Sequence, residues 1–136
     1  MAGTNSERTL IAEGPAIILV HPQLGENIGM VARAMANFGL AELRLVNPRD
    51  GWPSEKAISA ASKADHVIAA ATVFPSLEAA IADLEFVYAT TARDRYGYKE
   101  VRSPVVASDD LRTRFRAGQK TGILFGRERT GLTNEE

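Results

Sequence analysis

The sequence predicts a doubly wound α/β domain: a mostly parallel sheet with helices on both faces. Three observations lead there. Five short apolar runs are punctuated by Gly, Pro and polar residues, and segments of helical periodicity lie between them. The length, 136 residues, is that of one domain able to bury roughly two-thirds of the surface its unfolded chain exposes. Strands that alternate with helices of about ten residues specify βαβ units, and such units pair in parallel.

The elements follow in order. Ala16-Ile17-Ile18-Leu19-Val20, between Gly14-Pro15 and His21-Pro22, is short and β-branched, which fits a strand buried on both faces. A helix is expected from about Asn27 to Phe38, with Ile28, Val31, Ala32, Met35 and Phe38 on one face, Asn27 as N-cap and Gly39 as the stop. Leu43–Val46, before Asn47-Pro48, is the second strand. Ser54, after Pro53, caps a helix that runs to Lys63. His66-Val67-Ile68-Ala69 reads as the third strand. Ser76 opens a helix carrying Leu77, Ala80, Ile81 and Leu84, with Glu78 favourable at its N-terminus. Phe86–Thr90 is the fourth strand, Ser108–Arg116 a helix with Asp109 and Asp110 in its first turn, and Gly122–Phe125 the last strand. Residues 1–15 are expected to be a flexible N-terminal segment, and 16–136 the folded unit.

Composition narrows the chemistry. A chain that is 45% hydrophobic and 24% charged is neither disordered nor fibrous. The absence of cysteine removes disulfide scaffolds, thiolate metal sites and cysteine nucleophiles. His21 and His66 are the only two histidines, so a metal site would depend on carboxylates, and none is expected. The first ten residues, MAGTNSERTL, lack the apolar core of a signal peptide, and no apolar run approaches a membrane span. The expected compartment is the cytoplasm, with no membrane partner. Net charge is −1 but unevenly spread: residues 1–92 carry −4 and residues 93–129 carry +5, and 12 of the 16 basic residues are arginine. That distribution fits either a solvated, salt-bridged surface or a patch that faces a polyanion.

Open parallel sheets bind ligands beyond the carboxyl ends of their strands. Three such ends are polar and glycine-rich: His21–Arg33, Thr90–Arg95 and Gly126–Glu136. The stretch from Ala92 to Ser103 carries Arg93, Arg95, Lys99 and Arg102 interleaved with Tyr96 and Tyr98. Tyrosines stack on bases and arginines meet phosphates, although two tyrosines could equally cover the sheet end. Residues 25–33 match neither GxGxxG nor GxxxxGK[ST], which sets aside dinucleotide and P-loop binding. Arg33 lies one turn beyond Gly29 on the same helical face, so the missing side chain could leave room for a phosphate beside the guanidinium. The alternative is a helix-packing glycine and a surface salt bridge. Gly126-Arg127-Glu128-Arg129-Thr130-Gly131 is a close-approach turn in which Glu128 can accept hydrogen bonds, or simply a turn with an Arg–Glu pair. Thr90 and Thr91 place two hydroxyls at a strand end. His21 is a candidate base or a loop histidine.

Taken together, residues 21–35 (HPQLGENIGMVARAM), 43–48 (LRLVNP), 89–93 (ATTAR) and 125–136 (FGRERTGLTNEE) occur in the order and spacing of a known family. The chain resembles the SpoU/TrmH family of RNA 2′-O-ribose methyltransferases within the SPOUT superfamily, and most closely its TrmJ-type branch, which acts on the tRNA anticodon loop. The resemblance covers nearly all of the chain from about Ala16. It implies an α/β sheet whose C-terminal part threads into a trefoil knot, S-adenosylmethionine as methyl donor, tRNA as substrate, and a homodimer with each active site at the subunit interface. Carried over by position, Arg33 is the catalytic arginine, Asn27 belongs to the same motif, and Glu128 is the second motif's glutamate. Thr90, Thr91, Ala92 and Gly126 match cofactor contacts, and Arg93, Arg95, Lys99 and Arg102 are the expected RNA contacts.

The chemistry agrees with that assignment. A sulfonium methyl is already an activated electrophile, so the protein must align the ribose oxygen and stabilise its developing negative charge. A guanidinium does the second but, with a pKa above ~12, is a poor base; the proton is expected to leave through a phosphate oxygen, water or another side chain. The family's third motif, an apolar segment with a Ser-Leu-Asn core, does not occur in the 136 residues. The sequence therefore reads as the N-terminal part of the methyltransferase domain, with weak or no cofactor binding expected of it alone. The rival is a catalytically silent RNA-binding module of the same fold; a flavodoxin-like nucleotide binder has no motif in its favour.

Overall fold

A computed structural model of the chain describes residues 14–90 and 103–126. They form a five-stranded parallel sheet of order β3-β2-β1-β5-β4, with β1 at Ala16–Val20, β2 at Leu43–Val46, β3 at Thr72–Phe74, β4 at Phe86–Ala89 and β5 at Thr121–Phe125. The helices are α1 (Gly25–Asn37), α2 (Glu55–Ala61), α3 (Asp65–Ala70), α4 (Leu77–Ile81) and α5 (Pro104–Arg116).

β1 occupies the centre because its alternating side chains serve two cores. Ile17 and Leu19 join Ile28, Met35, Leu43, Leu45, Val67 and Ile68 beneath α1, α2 and α3. Ile18 and Val20 join Val46, Ala80 and Leu124 against α4. Ile18, Val20, Leu43 and Leu45 are fully buried, each contributing about 1.5–3 kcal/mol. Phe86 and Tyr88 of β4 alternate with Val87, which packs on the α4 side. They therefore lie on the other face, and α5 meets them there.

Helix ends follow local chemistry. Ser54 and Ser76 cap α2 and α4 by accepting from the Ala57 and Ala79 amides at 3.2 and 3.1 Å. Gly39, at φ +76°, closes α1: its amide donates to Ala36 and that of Leu40 to Met35. His21 and Asn47, the residues that follow β1 and β2, both adopt positive φ and extend the ladder through amide bonds to Val46 and Phe74.

Three expectations are corrected. His66–Ala69 is not a strand but the body of α3, and the third strand is Thr72–Phe74. An apolar run of four cannot distinguish helix from strand by periodicity; Asp65 in the first turn and the alanines beyond favour the helix. Asn27 is not an N-cap, because α1 begins earlier, at Gly25 after Leu24. α5 starts at Pro104 rather than Ser108, capped by Ser103, whose Oγ accepts from the Val106 amide at 3.3 Å. No helix among the described residues is long and apolar enough to cross a membrane.

Candidate functional site

The register assembles the rim at the carboxyl ends. Ala89 pairs with Leu124 and Leu19 with Phe125, so the residues that follow the three adjacent strands, Thr90, Gly126 and His21, leave the sheet side by side. α1 starts four residues beyond His21, which brings Asn27, in its first turn, to the same rim. The sequence motifs around Asn27, Thr90 and Gly126 are therefore one place in space.

Each residue there has definite hydrogen-bonding capacity. The Thr90 amide donates to the Leu124 carbonyl at 3.0 Å and its hydroxyl donates to the same oxygen at 2.9 Å. With both protons committed, Thr90 offers a ligand acceptor positions, which suits a hydroxyl or amine donor. Gly126 presents backbone without a side chain, so a ligand can approach it closely. His21 is half-buried, with its amide on Val46 at 2.8 Å. Below the rim an apolar cleft of about 400 Å³ runs between α1 and the sheet, lined by Ile17, Leu19, Ile28, Val31, Phe38 and Phe125, with Asn27 and Gly126 on its wall. Its described lining is almost wholly apolar, with Asn27 the one polar side chain in it. A second hollow of about 280 Å³, lined by Glu42, Arg44, Asp83 and Lys120, contains none of the candidate site residues.

Arg33 is placed differently. It is exposed, makes no hydrogen bond or ion pair with a described residue, and does not line the cleft. Eight residues into α1 it lies about 12 Å along the axis from the first turn, and the helical repeat turns it toward the flank away from the cleft. Gly29 is not a ligand gap: a Cβ there would come within 2.5 Å of the Ala57 carbonyl and 2.6 Å of the Ala60 Cβ. α2 fills the space that the sequence had left for a phosphate, so the packing role of this glycine holds.

Thr91, Ala92, Arg93, Arg95, Lys99, Arg102 and Glu128 lie outside the described residues, as does most of the N-terminal segment 1–15. Among the described residues, no three His, Asp or Glu side chains gather around a possible metal ion. Sequence reasoning missed the network around Arg44. A charged residue inside the apolar run Leu43–Val46 was the available signal; Arg44 is 6% exposed, and its guanidinium is bound by Glu42, Asp83 and the Ala80 carbonyl.

Comparison with known proteins places this geometry. A model of the SpoU rRNA methylase family matches residues 14–136. The tRNA (cytidine/uridine/adenosine-2′-O-)-methyltransferase TrmJ of Pseudomonas aeruginosa is 38% identical over 120 residues, 88% of this chain and 46% of its own length. The crystal structure of TrmJ from Z. mobilis superposes with a TM-score of 0.84 at 55% identity, over 89% of this chain and 53% of that one. The AdoMet complex of the SpoU methyltransferase AviRb from Streptomyces viridochromogenes, 18% identical with a TM-score of 0.54, shares the fold. The chain spans about half the length of the curated relatives it matches.

Proposed function

The chain belongs to the SpoU rRNA methylase family, and from that premise we propose for it an S-adenosylmethionine-dependent methyl transfer to a ribose 2′-hydroxyl of RNA, with the tRNA anticodon loop as substrate. The observation that carries the proposal is the convergence of Asn27, Thr90 and Gly126, from three separate motifs, on one rim above the apolar cleft.

In this reading Thr90 and Gly126, with Thr91 and Ala92, hold the donor at the rim. When bound, S-adenosylmethionine supplies a sulfonium methyl. The residues of the chain orient the ribose oxygen toward it and stabilise the charge that grows on that oxygen; Arg33 supplies a fixed positive fork for the second task. The position of Arg33, on the far flank of α1 from the cleft, supports an active site shared between two copies, in which one subunit's Arg33 serves the other's rim. Arg93, Arg95, Lys99 and Arg102 meet the RNA backbone. Glu128 follows the rim glycine and accepts hydrogen bonds from bound ligand or neighbouring backbone.

The test incubates the protein with tRNA and methyl-labelled donor, then digests the tRNA to nucleosides for mass spectrometry. A 2′-O-methylated anticodon-loop nucleoside is the expected product. Salt-dependent RNA binding without any methyl transfer would replace this reading with the silent RNA-binding module.

A further inference from the structure

α1 and α2 meet at their starts. Gly25, the first residue of α1, is buried, and a Cβ there would stand 2.5 Å from Ser54 Oγ, 3.0 Å from Lys56 Cβ and 3.3 Å from the Ala57 amide nitrogen. Ser54 cannot swing aside without loss, because its Oγ caps α2 by accepting from the Ala57 amide at 3.2 Å. One turn further along α1, Gly29 packs on Ala57, Ala60 and Ala61 with no room for a side chain. The chain that leads into α1 is held as well: the Pro22 carbonyl accepts from the Arg49 amide at 2.9 Å, which ties it to the loop that ends in Ser54.

Asn27 lies two residues beyond Gly25, in the first turn of α1 and on the wall of the apolar cleft. With the contact at Gly29 as a fulcrum, a side chain at position 25 tilts the start of α1 away from α2, and Asn27 moves with it. We propose that Gly25 is a positioning residue for methyl transfer: its missing side chain lets the start of α1 seat on the capping hydroxyl of Ser54, and that seat sets the place of Asn27. The proposal rests on the reading of Asn27 as a residue of the transfer site. Gly25 is buried between the helices and acts through the backbone alone. Thr90 and Gly126 follow β4 and β5, outside this contact, so the donor side of the rim does not depend on it.

The experiment compares Gly25→Ala, Ser54→Ala and the double variant with the wild type, measuring kcat on tRNA at saturating donor, donor Kd by calorimetry, and unfolding midpoints. Gly25→Ala is expected to lower kcat about ten- to a hundredfold, the cost of a small misplacement near the reacting atoms, while donor Kd stays within about threefold. Ser54→Ala loses the cap and melts lower but keeps kcat within about twofold. The double variant removes the hydroxyl that the new Cβ would strike, so its kcat exceeds that of Gly25→Ala by about threefold or more. Wild-type kcat in Gly25→Ala overturns the proposal, as do a donor Kd that worsens as much as kcat falls and a double variant no faster than Gly25→Ala. If Gly25→Ala does not fold, a folded and active double variant supports the proposal and an unfolded one overturns it. If the wild type transfers no methyl group, the reading of the site fails; the unfolding midpoints then decide the Gly25–Ser54 seat separately, and strictly additive losses overturn it.

Discussion

Arg44 on β2 and Asp83, two residues past the end of α4, face each other through two hydrogen bonds, Nη1 to Oδ1 at 2.6 Å and Nη2 to Oδ2 at 3.0 Å. This pair ties β2 to α4 on the face away from α1. The hydrogen bond from Arg44 holds the Asp83 carboxyl below its ordinary range, and the same bond raises Arg44. A depressed carboxylate contributes stability above its unfolded pKa and loses it as pH falls through its folded one. Asp83 is half exposed, so the contribution is modest. Asp83→Asn is expected to cost about 1–2 kcal/mol at neutral pH, with Arg44 still held by Glu42. Urea unfolding at neutral and strongly acidic pH checks this: the gap between wild type and variant closes in acid.

Gly29→Ala sets two effects against each other. Alanine raises helix propensity by about 1 kcal/mol. The added Cβ, however, would stand 2.5 Å from the Ala57 carbonyl and 2.8 Å from the Ala61 amide nitrogen, rigid backbone that cannot rotate away. Overpacking of about 1–3 kcal/mol should win, moving α1 off α2. A higher denaturation midpoint for Gly29→Ala would show that the helices part without strain.

Arg33 is exposed, so its replacement should leave folding nearly unchanged and act on the reaction. Arg33→Ala is expected to lower kcat by about a hundredfold or more, with donor affinity little altered. Arg33→Lys keeps the charge and loses the fork, and should recover only part of the rate. Mixed dimers of Arg33→Ala and Thr90→Val subunits test whether the arginine works across the interface. If it does, one complete site re-forms and activity at donor concentrations well below the wild-type Kd exceeds that of either parent variant.

Thr90 uses its hydroxyl proton on Leu124, so serine and valine should separate the roles of the group. Thr90→Ser keeps the hydroxyl and is expected to bind donor within about threefold of wild type. Thr90→Val removes both that bond and the acceptor, at about 1 kcal/mol in stability and about tenfold in donor affinity. Calorimetric titration of the two variants, with thermal melts, distinguishes them.

Much of this architecture could be read in advance, and the exceptions have physical causes. β1, β2 and β5 were visible because burial on both faces demands short, mostly apolar runs, broken in β2 by Arg44 alone, and glycine or proline bounds the first two. β3 was not, because Thr72 and Val73 lie exposed on an edge and make no pattern. The start of α5 was legible in Ser103-Pro104, a capping residue before a proline at the first helical position, but the exposed valines behind it obscured the helical stripe. At the site, motif spacing identified Asn27, Thr90 and Gly126, and strand register brought them together. The filled space at Gly29 was invisible to a reading of α1 alone, since it is a property of α2 packed against it. Likewise the hydrogen bond that Asp110 accepts from Tyr88 joins residues twenty-two positions apart, beyond any local reading of either element.

The strand order has a consequence for how the molecule is made. β5 is the last strand of the described chain to leave the ribosome, yet it inserts between β1 and β4. Until it arrives, β1, β2 and β3 can pair but β4 has no neighbour among the described strands, and the inner edge of β1 stays open as a template for foreign strands. Assembly must wait for a contact that spans more than a hundred residues, from Ala16 to Gly122. Such distant closure slows folding.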